Sequence, residues 1–486
     1  MQIIVNKLIQ KFYKTIIIGS GAGGATAAYQ LSKNFDSICI LEEGKKFNQS
    51  FFSNRKISSR SQKLWRNGGF TPLIGNPPLP FAEGVALGGT TVSNGGYLED
   101  IDDRAYENLK NIMNLGNNDV KILRSNFSQI KKKFDTQKDK DQNFNGDSHI
   151  LTKYLEKEKI NYRFVDLARK NCRHNNQCIS GCPISAKTTD VSLNLIPDSI
   201  KKGVDVFQNT KVLSIKKDGK NIVLSTNNKK YLFKCEKLIL SAGALQTPFL
   251  LKKNGINNQV GKKIKFHLNY KILANFNDKV FAKKGTIFNI DINHFKNERF
   301  KFSATNFLEP YIFSTTSFLN NLEINRLNQR IDFLGMYVAQ IEVRGYASLK
   351  SSIFSEPLIF YKLDDNDHKL IIKSIIEFCK ILFGSGATEL ILPYGNGKIL
   401  KSEKDLNEFV KSFKTKFMHF NCAHMMNSCP IGFENNILNN DASLIDSDNI
   451  FVLDASTLPT SSDSSPQLAI MSLVKFIIEN NYPKFN

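Results

Sequence analysis

Three glycines and one acid are spaced as a bound dinucleotide would need them. Gly19, Gly21 and Gly24 follow the β-branched run Thr15 to Ile18 in the order G-x-G-x-x-G. Gly19 permits a tight turn, Gly21 lets backbone approach a pyrophosphate, and Gly24 lets the following helix pack on the strand. The start of that helix offers unpaired N–H groups and a positive dipole end to phosphate. A second apolar strand, Ile38 to Leu41, delivers Glu42 where a ribose hydroxyl needs an acceptor. Sulfur is the other candidate chemistry. Cys172, Cys178 and Cys182 precede Pro183 in the spacing C-x5-C-x3-C-P, whose end matches the tail of a ferredoxin cluster motif. Asn175 stands where the usual second cysteine would be. Three thiolates suit a three-iron 3Fe-4S cluster better than a four-iron one, with His174 as a further nitrogen ligand or as a plain loop residue. Structural or incidental thiols are the competing reading.

The surrounding elements follow from pattern. After Gly44, the prolines Pro72, Pro77, Pro78 and Pro80 argue for a loop around Trp65 rather than a helix. Gly84 to Gly96 holds five glycines and three hydroxyl residues in thirteen positions, too polar and too flexible for a core element. Its backbone amides and hydroxyls suit phosphates and the polar edge of a ring. Residues 101 to 165 read as amphipathic helices broken near Asp135 to Asp147. Val204 to Ile215 reads as two short strands, then a hairpin at Asp218-Gly219. Lys237 to Leu240 is a buried strand ending in Ser241, Ala242 and Gly243, and a helix follows. Leu268 to Tyr346 alternates as an antiparallel sheet with crossing helices, and Leu370 to Leu382 is an amphipathic helix.

Composition bounds the class. The chain has 486 residues, 41% apolar and 23% charged, enough for two globular domains. The net charge of +21 is spread over isolated lysines. Lys131-Lys132-Lys133 lies beside an equally acidic stretch, so a nucleic-acid surface is not expected and membrane contact is at most peripheral. No apolar run reaches the ~18 residues that span a bilayer. Met1 to Tyr13 lacks the apolar core of a signal peptide, so cytoplasmic residence is the default, with export alongside a signal-bearing partner as the exception. Eight scattered cysteines do not make a secreted disulfide framework.

The Gly84 to Gly96 segment resembles the first signature of the glucose–methanol–choline (GMC) flavoprotein oxidoreductases. The resemblance implies that Gly88, Gly89, Thr90, Asn94 and Gly95 touch FAD, and Ser93 at the position of a flavin-linking histidine implies non-covalent FAD. Ser241 to Pro248 is similar to the second signature, with Ala242 and Gly243 beside the dinucleotide. Val212 falls where backbone meets adenine, and Gly255, Gly261 and His267 fall at a family glycine, glycine and histidine. Phe417 to Gly432 resembles the segment with the active-site histidine, here His424, although Asn427 and Ser428 replace its Gly-Thr. Asn449 to Ala469 is similar to the closing FAD motif. It implies contacts from Asp454, Ala455 and Pro466, and places Ser465 at the second catalytic position, where asparagine or histidine is usual. Ala469 replaces the usual threonine. The cysteine segment is similar to that of catalytic subunits of bacterial FAD-dependent sugar dehydrogenases.

The resemblance implies an α/β fold, a Rossmann-like FAD-binding domain with an inserted α+β substrate domain built on an antiparallel sheet. It divides the chain into 12–100, 185–267 and 417–486 for FAD, and 101–184 and 268–416 for substrate. It implies oxidation of a small-molecule alcohol, sugar or polyol by hydride transfer to flavin N5, with His424 as base and Ser465 as auxiliary donor. A histidine titrates near neutrality and is apt for that work. The expected enzyme is a dehydrogenase passing electrons to a partner subunit; the alternatives are an oxygen-using oxidase and a catalytically weakened flavin-binding redox subunit.

Overall fold

The computed structural model describes residues 9–54, 56–138, 143–350, 356–432, 437–459 and 464–485. The first part of the N-terminal stretch considered as a signal peptide, residues 1–8, lies outside them.

The β-branched run closes the strand Ile9–Ile18, exposed at its start and buried at its end. This strand is the middle of a parallel sheet. Ile38–Leu41 and then Asp205–Phe207 lie on one side, and Tyr231–Leu240 and then Ser447–Val452 on the other. Such strands are covered on both faces and so are apolar throughout. The hairpin Val212–Asp218 and Asn221–Thr226 extends the long strand Tyr231–Leu240 antiparallel, turning at Gly219 with φ +62°. Gln467–Asn480 is buried on nearly all sides, as a largely apolar helix must be, and its buried Lys475 donates to Asn126 and Glu479. The helix packs between Ala22–Leu31 and Asn117–Lys133. Asp103–Ile112 and Asn117–Lys133 bury Tyr106, Leu109, Leu123 and Phe127 in this same core.

A second, mainly antiparallel sheet carries a separate core. Its centre orders Phe300–Ala304, Leu334–Glu342, Lys265–Phe276 and Asn421–Met426. The proline-rich segment continues it as Leu79–Phe81 and Thr71–Ile74, which corrects the loop expectation. Pro72 lies opposite Pro80, a placement open to proline where the ladder asks for no N–H. Asp365–Gly384 backs the sheet, longer than the amphipathic stretch in the sequence because Asp364 and Asp367 form a capping box ahead of it. Its Phe378 ring stacks on Phe302, centroids 4.2 Å apart. Among the described residues, no helix is long and apolar enough to cross a membrane.

Candidate active site

The Gly19 turn sits where the central strand ends. A Cβ on Gly24 would fall 2.0 Å from the Gly19 carbonyl oxygen, so that glycine serves packing. Gly23, outside the fingerprint, is equally confined: its Cβ would meet the Leu453 carbonyl oxygen at 2.1 Å. A Cβ on Gly21 meets nothing within 4 Å, and the helix that Gly21 caps receives no side-chain hydrogen bond. Its first amides are therefore available to a ligand. Gly89 (φ +55°) faces this turn, its Cβ position 3.1 Å from Gly21 Cα.

Buried hydrogen bonds lock these loops together. Glu42 Oε2 accepts from the Ser20 amide (2.9 Å) and hydroxyl (2.6 Å), and Oε1 accepts from the Gly44 amide (2.7 Å). Burial raises the Glu42 carboxyl above its usual range despite these donors. The Gly88 amide donates to Ser20 Oγ at 2.9 Å. Asp454 Oδ2 accepts from the Gly243 amide (2.8 Å) and Thr247 hydroxyl (2.5 Å), tying the last strand to the second signature. The buried Lys187 ammonium donates to the carbonyls of Val92 (2.8 Å), Asn94 (3.0 Å) and Cys178 (3.2 Å).

One cavity of about 770 Å³ joins both halves. Gly19, Gly21, Glu42, Gly89, Thr90, Asn94, Gly95, Val212, Ala242, Gly243, Asp454, Ala455, Ser465, Pro466 and His424 all line it. Gly24 and Gly88 do not. His424 sits at φ +53°, a left-handed conformation unusual for a non-glycine residue. The register of its strand against Lys265–Phe276 shifts just beside it. Its Nδ1 lies 2.9 Å from Nδ1 of the fully buried His267. Burial first, then His267 and Lys301, hold the His424 imidazole well below the usual histidine range.

The opposite wall is not anticipated from motifs. Asn421, Asn269, Gln340 and Lys301 stand side by side across four strands, and Lys271, Val338 and Ser303 form the next row. All seven line the cavity. The signal is the alternation His267, Asn269, Lys271 against Phe266, Leu268, Tyr270, one polar and one apolar face of a strand.

Cys172 and Cys182 lie near enough to Cys178 to act on its thiol, which burial pushes up. Cys172 Sγ accepts the His174 amide and Cys182 Sγ the Ala186 amide. Among the described residues, no group of three His, Cys, Asp or Glu could hold a metal ion, so the 3Fe-4S expectation finds no support: spacing fixes how far apart thiols are along the chain, not where they point.

The GMC oxidoreductase family models match residues 61–269 and 344–473 of the chain. The chain belongs to the GMC oxidoreductases. A GMC-type oxidoreductase of Sinorhizobium fredii, itself uncharacterised, is 25% identical over 98% of this chain and 95% of its own. The long-chain-alcohol oxidase FAO3 of Arabidopsis thaliana is 25% identical over 94% of this chain and 66% of its own. Among solved structures, pyridoxine 4-oxidase from Mesorbium loti superposes with a TM-score of 0.70 at 12% identity, covering 97% of this chain and 99% of that one. The fold is the GMC flavoenzyme fold, an α/β arrangement of FAD domain and substrate domain. Membership implies FAD, and this GMC chain fits it: two glycine turns open on the cavity, an uncapped helix start faces it, and Gly21 and Gly89 present no Cβ to block a pyrophosphate.

Proposed function

We propose that this GMC oxidoreductase binds FAD without a covalent link and oxidises a CH–OH donor, with His424 as the base. FAD, when bound, supplies the hydride acceptor. The observation that carries the reading is the shared cavity: the glycine turns and a buried, neutral imidazole line one space. Amides at the start of Ala22–Leu31 and around Gly89 would hold the pyrophosphate, and Glu42 the ribose. Nδ1 of His424 is engaged by His267, so Nε2 is the atom left to take the hydroxyl proton. Ser465, on the same cavity, would donate to the substrate oxygen as charge develops there.

Oxygen is the acceptor we favour, supported by relatives and fold neighbours named as oxidases of a long-chain alcohol and of pyridoxine. A protein acceptor is the second reading.

Anaerobic flavin reduction by a panel of alcohols, in wild type and His424→Ala, tests the assignment. Positioned base catalysis is worth roughly 10²–10⁴-fold, and a loss of that size is expected. Equal rates would reject His424. Peroxide released on reoxidation in air separates oxygen from a protein acceptor.

A further inference from the structure

The polar wall opposite the dinucleotide turns holds two cations in different states. Lys301 Nζ lies 2.6 Å from Asp291 Oδ2 and 3.6 Å from Glu99 Oε2. Burial works against the Asp291 charge, but Lys301 and Arg163 outweigh it and keep the carboxyl below its usual range. That cation is neutralised within the fold. Lys271 is two residues along the strand from Asn269 and lines the same cavity. Among the described residues it has no carboxylate partner. Its ammonium rests on the face of the Tyr311 ring, 3.9 Å from the centroid. Burial alone lowers its pKa, to about 7; no neighbouring charge contributes. Lys271 is half-buried in the cavity wall, and a cation there without a counter-charge is one that an anionic ligand can balance.

A further atom beside it lacks a partner. Asn269 Oδ1 is buried without a hydrogen bond and its residue lines the cavity, as does Asn306. A buried amide oxygen left this way is an exception that calls for an explanation. Together the wall offers an acceptor for a hydroxyl, a donor to an oxygen, and an unbalanced positive charge.

We infer that the donor is a hydroxylated carboxylic acid, its carboxylate seated against Lys271 and a further hydroxyl against Asn269 and Asn306. The inference rests on the proposed alcohol oxidation and narrows its substrate class. It sets this chain apart from a purely apolar alcohol, for which four polar rungs and a bare ammonium would be a poor floor. Lys271 then fixes which end of the molecule faces His424, because only the carboxylate balances its charge.

The test uses the full FAD-loaded protein and matched pairs: glycolate with ethylene glycol, glycerate with glycerol, and gluconate with glucitol. Anaerobic titration followed by calorimetry and by perturbation of the flavin spectrum reads binding apart from turnover. At least one acid is expected to bind about tenfold or more tightly than its neutral partner. Lys271→Met should close that gap, and Lys271→Arg should retain part of it. No saturable binding by any acid, equal binding within every pair, or a gap that survives Lys271→Met would overturn the inference. Glycerol 3-phosphate binding in place of glycerate would overturn the carboxylate assignment in favour of phosphate. Acid-selective binding that Lys271→Met abolishes, without flavin reduction, would uphold the carboxylate seat at Lys271 and sink the proposed oxidation, and with it the acid's role as donor.

Discussion

The side chains of His267 and His424 meet Nδ1 to Nδ1 at 2.9 Å, ring edge to ring face. Two like nitrogens can share one hydrogen only if one ring donates and the other accepts. For His424 to present a bare Nε2, its own Nδ1 must donate and His267 must accept.

The depressed pKa of His424 sets the acid limb of the reaction. The base form is the neutral ring, and burial keeps it neutral below the usual histidine value of about 6.5. kcat/KM should therefore hold as pH falls through that value and decline only further down. The stability sign agrees. The unfolded ring takes a proton below about 6.5 while the folded one resists, so folding free energy is lost as pH falls from there. A pH–rate profile with an acid limb above that value would contradict the assignment.

His267 acts through its neighbour, so its replacement should read out in pH dependence. His267→Asn removes one of the influences that lower the His424 pKa. The acid limb should shift upward and kcat should fall, with KM little changed. A merely structural histidine would lower the denaturation midpoint and leave the limb where it was.

Two neighbouring glycines should separate binding from folding. Gly21→Ala adds a methyl that meets no protein atom, so apo-protein stability should stay close to wild type while FAD affinity drops. Gly23→Ala drives a methyl to 2.1 Å from the Leu453 carbonyl oxygen. It should cost about 1–3 kcal/mol through overpacking, seen as a lower urea midpoint with unchanged slope.

Lys187 clasps three carbonyls, two of them in the loop containing Asn94. Lys187→Met would leave those acceptors without their donor. FAD should dissociate faster from the variant, with a stability loss on the order of 1–3 kcal/mol. Retention of flavin at wild-type rates would show that the loop holds its shape unaided.

Protein purified without oxygen should carry no stoichiometric iron, and Cys172→Ser with Cys182→Ser should leave the flavin spectrum unaltered. Iron in whole-number ratio to protein would restore the 3Fe-4S expectation.

Legibility in the chain tracked how local each feature is. The turn from Ile18 through Gly24 and the acid Glu42 are neighbours in sequence, so pattern alone exposed them. His424 came from resemblance, since a single histidine has no periodicity to read. Gly23 escaped because its constraint comes from Leu453, more than four hundred positions away. The row Asn421, Asn269, Gln340, Lys301 escaped for the same reason: each strand contributes one polar residue, and only strand pairing makes them a surface. Pro72 and Pro80 misdirected the reading, because proline's penalty in a strand depends on a partner that the sequence does not reveal.

The walls of the central chamber are drawn from residues as far apart in the chain as Ile18 and Ile470. Asp454 and Pro466 leave the ribosome long after the strand Ile9–Ile18. The cofactor can therefore find its complete seat only once Pro466 has emerged, and a nascent chain stalled short of that point would have to wait, half-walled, without it.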